Sequence, residues 1–194
     1  MKQRCLWATH ASPLIQDYHD TTWGIPVFDD HVLFKYLVME SAHAGLSWEI
    51  VLKREDDYDL AYEGFNPLNV ALFDEDKVRF LLTESKIIRH EGKIRNSIIQ
   101  AQVINEIIKE EGSFSNYLWS FVDHKPFITL RDPQVWDATS DLSDTISLDL
   151  KKRGMKYVGS KIIQAYLQGI GIINDHDTAC DLCHQGESYA EENT

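Results

Sequence analysis

No apolar run in this sequence approaches the length needed to span a bilayer. Its first residues, MKQRCLWATHASPL, lack the sustained apolar stretch of a secretion signal, so a cytoplasmic location is expected. Cysteine is scarce. Only Cys5, Cys180 and Cys183 occur, and an odd count without a secretion signal argues against a disulfide framework and for metal ligation or free thiols. Alternating apolar and polar runs joined by hairpin turns are missing too, which predicts a strand content near zero. Repeats and low-complexity tracts are absent. Positive charge is in deficit: 19 Lys and Arg face 31 Asp and Glu, for a net charge of −12. On average charge alone, nucleic acid is an unfavourable partner.

What is present is an ordinary globular composition, 43% hydrophobic and 26% charged, in a chain of 194 residues. That length suffices for one good core or for two small lobes around a cleft. The apolar spacing is helical almost throughout. Asp29 or Asp30 can cap a helix carrying Val32, Leu33, Tyr36, Leu37 and Glu40. Leu46 or Ser47 begins a short helix through Val51, Asn66-Pro67 marks a turn or a helix start, and Asp74 caps another helix. The longest pattern runs from about Ile87 to Glu111, with Gly112 as its stop and Ser113 as the next cap. Ser143 or Asp144 starts a helix through Leu150, and Ser160 opens one through Leu167. The stretch from His124 to Asp137 reads as irregular, and the acidic tail 185–194 as disordered.

The charge is uneven. Between Leu150 and Asn174 there is no acid, while Lys151, Lys152, Arg153, Lys156 and Lys161 are all present. A second basic stretch holds Lys86, Arg89, Lys93 and Arg95 against Glu91. Each segment is either a solvated helix face or a local anion site. Within the first, LKKRGMKYVGSKIIQAYL reads as helix, tight turn, helix. Gly154 and Gly159 allow close backbone approach, and Ser160 and Lys161 sit at a helix N-terminus, where free N–H groups favour an anion. The alternative is a plain turn between two helices.

Two thiols and two imidazoles occur near the chain ends: Cys5 and His19, His176 and Cys180. That donor set suits a closed tetrahedral zinc site, but Cys183 and His184 lie close enough to substitute. Trp7, Tyr18 and Trp23 flank the first pair. Glu40 lies eight residues before Trp48 and on the helix that carries Leu33 and Leu37, so it points inward or ends in an ion pair. Aromatic rings beside a carboxylate can hold a flat cationic heterocycle, although the same residues also make an ordinary core.

Taken together, RCLW at 4–7, YHDTTWGIP at 18–26, AGLSWEIVLKRE at 44–55, IIRHEGKI at 87–94, LWSFVDHKP at 118–126, LKKRGMKYVGSKI at 150–162 and NDH at 174–176 closely resemble the bacterial DNA-3-methyladenine glycosylase I family. The motifs appear in order over nearly the whole chain. The resemblance implies an all-α fold of the helix-hairpin-helix glycosylase superfamily, with residues 1–184 forming two helical lobes around a base-binding cleft. It implies one structural zinc on Cys5, His19, His176 and Cys180. It also implies Glu40 as the base-reading and catalytic carboxylate, Tyr18 and Trp48 as stacking residues, and Trp7 and Trp23 as pocket wall. The hairpin residues Gly154, Gly159, Ser160 and Lys161 would contact DNA. The implied partners are double-stranded DNA containing 3-methyladenine and the free base as product, handled by a monomeric and monofunctional enzyme. Two residues depart from the pattern. His43 stands where the family commonly has glutamine, and Ile15 where an aromatic often stands. These departures keep open a non-catalytic module that only binds a modified base or DNA.

Overall fold

The computed structural model describes residues 2–129 and 137–184. The central element is α3 (Asp30–His43), capped by the Asp29 carboxylate, which accepts from His31 N and Val32 N. Apart from half-buried Lys35, every residue from Leu33 to Ala42 is buried, so it forms the axis of the core rather than an outer face. Each fully buried Leu or Met there contributes roughly 1.5–3 kcal/mol of burial free energy.

Before it come α1 (Leu6–Thr9) and α2 (Pro13–Thr21). The second follows a readable signal, Ser12 as cap and Pro13 at the first helical position, which the periodicity alone did not pick out. After α3 come α4 (Trp48–Leu52), α5 (Glu55–Ala61), a 3-10 turn at Glu63–Phe65, α6 (Pro67–Val70) and α7 (Glu75–Thr83). Asn66 and Asp74 cap α6 and α7 through their side chains. The long helix α8 (Glu91–Glu111) packs on α6, α7 and α9 (Phe114–Ser120). It starts four residues later than the apolar pattern suggests. His90 is extended, at φ −127° and ψ 111°, and its ring nitrogen accepts from Lys93 N, so Ile87 and Ile88 belong to the approach and not to the helix.

The last two helices are α10 (Asp141–Lys152) and α11 (Ser160–Gly169), which pack against each other. The start of α10 corrects the expectation of Ser143 or Asp144. Ser140 is the cap, and Ser143 is its reciprocal partner: each hydroxyl accepts from the other residue's backbone N–H. The near absence of strand holds among the described residues. There is one two-residue parallel ladder, β1 (Phe127–Ile128) beside β2 (Ile173–Asn174). Of the irregular stretch His124–Asp137, residues 130–136 lie outside the described residues, as does the tail 185–194. No described helix is long and apolar enough to cross a membrane.

The two chain ends are joined without any metal. Asp181 N donates to Gln3 O at 2.8 Å, Gln3 N to Asp181 Oδ2 at 2.9 Å, and Leu6 N to Asp177 Oδ2 at 2.6 Å. Gly24 is needed here. It adopts φ +79°, and a Cβ on it would sit 2.8 Å from His176 Nε2.

Candidate functional site

Helix α3 delivers Glu40 to the wall of a cavity of about 130 Å³. The other walls are Trp7 from α1, Tyr18 from α2, Trp23, His43 at the end of α3, Trp48 at the start of α4, and Ala165 and Gln168 from α11. Larger hollows open elsewhere among the described residues, and those of about 360, 590 and 570 Å³ do not gather a buried carboxylate with aromatic rings. Every residue read from the sequence as binding a base therefore lines one small space. Ile15 does not; it packs against the core from α2.

Glu40 is 5% exposed, and burial raises its pKa above the ordinary carboxylate range. His43 opposes that rise, with Nδ1 lying 3.1 Å from Glu40 Oε2. The His43 ring also meets the Trp48 ring edge-on, with centroids 5.7 Å apart. His43, one of the two residues that depart from the family pattern, thus touches both the carboxylate and the Trp48 ring. Tyr18 is deeply buried; burial, then the charge of Glu40, raises its pKa well above the usual phenol range.

The Tyr18 and Trp48 rings are 5.5 Å apart and tilted at 54°. A flat ring stacked between two others needs roughly 7 Å, two contacts of about 3.5 Å each. The rings touch each other as they stand, so a base enters between them only if one ring swings aside. Two donors in the walls were not legible in the sequence. The indole N–H groups of Trp7 and Trp48 are buried with no hydrogen-bond partner among the described residues. An unsatisfied buried donor costs about 1–3 kcal/mol, which a ligand acceptor would recover.

Beside this cavity, Cys5, His19, His176 and Cys180 are all buried, with one donor atom from each within 4.8 Å of the others. Cys5 Sγ lies 3.3 Å from His176 Nδ1, and Cys180 Sγ lies 3.6 Å from both His19 Nε2 and His176 Nδ1. A tetrahedral zinc with bonds of about 2.3 Å to sulfur and 2.05 Å to nitrogen sets that separation at roughly 3.6 Å. The donor set therefore fits such an ion. The Asp20 carboxylate, 2.9 Å from His19 Nδ1, fixes that ring with Nε2 towards the cluster. Backbone N–H groups of Asp177 and Leu182 point at the two sulfurs. Burial pushes the Cys5 thiol up and the His19 pKa down, so a cation is what would ionise the thiol beside a neutral imidazole. Cys183 is buried but outside the cluster, and His184 is exposed.

The sequence profile of the family described as methyladenine glycosylase matches residues 7–184. The chain belongs to the methyladenine glycosylase family. It is 38% identical to DNA-3-methyladenine glycosylase 1 of Escherichia coli over 185 residues, covering 95% of this chain and 98% of that protein. The solved 3-methyladenine DNA glycosylase I of Staphylococcus aureus superposes with a TM-score of 0.87 at 34% identity, covering 92% of this chain and 95% of that one. A variant 3-methyladenine DNA glycosylase I in complex with 3-methyladenine superposes at 0.86, with 34% identity over 92% of this chain and 96% of that one.

In this family member the cavity and the ligand cluster share a wall. Trp23 meets the His176 ring edge-on at 4.7 Å, and Trp7 meets the His19 ring at 5.2 Å. Ala165 and Gln168 are the lining residues that the sequence reading missed, and Gln168 is held by a carboxylate. The Asp175 carboxylate accepts from Gln168 Nε2 at 2.7 Å and from Thr129 Oγ1 at 2.5 Å. Asp175 is not among the lining residues; it holds Gln168, which is. The turn between α10 and α11 lies apart from the cavity lining. Gly154 adopts φ +102°, and a Cβ on Gly154 or Gly159 would meet nothing within 4 Å. Ser160 follows Gly159, the cap of α11, and Lys161 is exposed.

Proposed function

We propose that this protein is a monofunctional glycosylase that flips 3-methyladenine out of alkylated double-stranded DNA and hydrolyses its N-glycosidic bond. The observation that carries the reading is the single cavity in which a buried carboxylate, Glu40, meets the rings of Tyr18, Trp48, Trp7 and Trp23, in a chain matched end to end by 3-methyladenine glycosylases.

The reaction needs little acid catalysis. Methylation at N3 makes the adenine cationic, so cleavage releases a neutral base while water adds to the anomeric carbon and gives up a proton. The main task is to extrude and hold the right base, at a few kcal/mol of lost stacking. Of the Glu40 oxygens, Oε2 is engaged by His43, which leaves Oε1 for the exocyclic amine of the base. The buried negative charge favours a cationic purine and disfavours guanine, whose oxygen would oppose the carboxylate. Glu40 is also the group we assign to orienting the water. Stacking comes from Tyr18 and Trp48 after one ring moves.

Cys5, His19, His176 and Cys180 would hold one zinc ion, whose closed coordination supplies structure and not chemistry. The α10–α11 turn would act as the helix-hairpin-helix, with the Gly154–Gly159 backbone, Ser160 and Lys161 on a phosphate. Two helical lobes around the cleft, in a cytoplasmic monomer, complete the reading.

The direct test is incubation of the purified chain with methylated duplex DNA, followed by chromatography of small molecules. Free 3-methyladenine should appear with an intact sugar-phosphate strand. Binding without release would leave only a recognition module.

His43 gives a second expected result. His43→Ala removes the donor that holds the Glu40 pKa down, so burial raises that pKa further. Because the carboxylate is the working form, the acid limb of the pH–rate profile should move to higher pH. His43→Gln, which keeps a donor, should move it less. Superimposed profiles for all three proteins would remove His43 from the mechanism.

A further inference from the structure

The cations of this acidic chain fall into two populations. Arg4, Lys35, Lys77, Arg95 and Arg153 are held by carboxylates. Lys86 and Arg89 have no carboxylate partner among the described residues, although both are exposed. They border an open groove of about 590 Å³ with Lys53, Arg54, Asp57 and Ile87. Arg89 Nε donates to Ser85 O at 2.9 Å, and Arg54 Nη1 to Ile50 O at 2.6 Å. Those bonds fix both guanidinium groups without neutralising them. Lys53 is paired to Glu49, and Asp57 is the acid in the groove wall, so the hollow keeps a net positive lining in a protein of net charge −12.

The chain that leaves the groove at Arg89 is tied to the other exposed basic segment. Asn96 on α8 donates to Lys156 O at 2.8 Å and accepts from Lys156 N at 2.7 Å, which ties the α10–α11 turn to the start of α8. The His90 and Tyr157 rings meet edge-on at 6.2 Å. From the same helix Lys93 Nζ donates to Ala42 O at 2.8 Å and Ala44 O at 2.6 Å, on either side of the cavity-lining His43. The segment from Lys86 to Asn96 therefore links the turn, the backbone around His43 and the groove. A small anion would need one tight cage. Here the cations come from two elements and spread over an open hollow, which suits a polyanion with spaced charges.

We infer that the Lys53–Arg54–Lys86–Arg89 groove is a second DNA-backbone site, which receives phosphates beyond those reached by the hairpin. The inference rests on the proposed action on DNA, and it assigns the groove to affinity and not to the excision step.

The test is the salt dependence of binding to lesion-free duplex DNA. A Lys86→Ala/Arg89→Ala variant should bind about 10-fold or more weakly at 0.1 M salt, and its slope of log K against log salt should be shallower by roughly 1.8, about 0.9 for each lost phosphate contact. Base release at saturating DNA should be unchanged, and so should the melting temperature. Asp57→Asn should bind the same duplex more tightly, a gain that misfolding cannot produce. Wild-type affinity and slope in both variants would overturn the inference. So would a loss confined to inorganic phosphate with duplex binding intact. Failure of the wild-type protein to release base would instead overturn the glycosylase reading, whatever these variants do.

Discussion

Glu40→Gln should lower 3-methyladenine release roughly 100-fold or more, because it removes a charge-assisted hydrogen bond and the only buried negative charge lining the cavity. The amide keeps the size of the side chain, so the fold should survive. Stability should be equal or higher at neutral pH. Burial raises the folded-state pKa of Glu40 above its unfolded value, so the folded protein binds that proton more tightly. The stability this contributes is fully present below the unfolded pKa and is lost as pH rises through the raised value. At neutral pH the buried carboxylate is therefore a burden that glutamine lifts. Single-turnover release and thermal melting on the same preparation check both halves. Full activity would remove Glu40 from its role, and a strongly destabilised variant would show that the carboxylate is a structural ion-pair member instead.

Removal of the proposed zinc should be the second large effect. Metal analysis should find about one zinc per chain. Cys180→Ser, Cys5→Ala or prolonged chelation should destabilise by roughly 3–5 kcal/mol, the loss that follows when one partner of a buried charged cluster is removed. At about 2–4 °C per kcal/mol for a chain of this size, the melting temperature falls by about 6–20 °C. The fold should not vanish, because the two hydrogen bonds between Gln3 and Asp181 and a large core remain. The fluorescence of Trp7 and Trp23 should change with the metal, since those rings pack on His19 and His176. Base affinity should weaken in step, as the same rings wall the cavity. A metal-free protein with unaltered melting would remove the zinc assignment.

Much of this molecule could be read before any coordinates. The caps Asp74 and Ser113 were legible, and that of α3 to within Asp29 or Asp30, because a cap acts on backbone N–H groups two or three residues away. The phase of Glu40 with Leu33 and Leu37 left it inward or ion-paired, and in the fold it is both buried and paired with His43. The start of α8 was misread because Ile87 and Ile88 continue the apolar rhythm while the His90 ring ends it. The start of α10 was misread because Ser143 is a good cap in isolation and becomes a partner only beside Ser140.

The sequence by itself determined the helical character, the ordered run of family motifs, and the residue types that reach the cavity and the ligand cluster. All of these depend on neighbours within a turn or two, or on matching of motifs. Only the tertiary structure gathered Cys5, His19, His176 and Cys180 with Cys183 outside the cluster, placed Asp175 behind Gln168, and put the Tyr18 and Trp48 rings in contact. It alone paired His43 with Glu40, neutralised Arg95 and Arg153, and left Lys86 and Arg89 unneutralised. The reason is physical. Periodicity fixes which way a side chain leaves its own helix, but what meets it there is set by the packing of segments far apart in the chain.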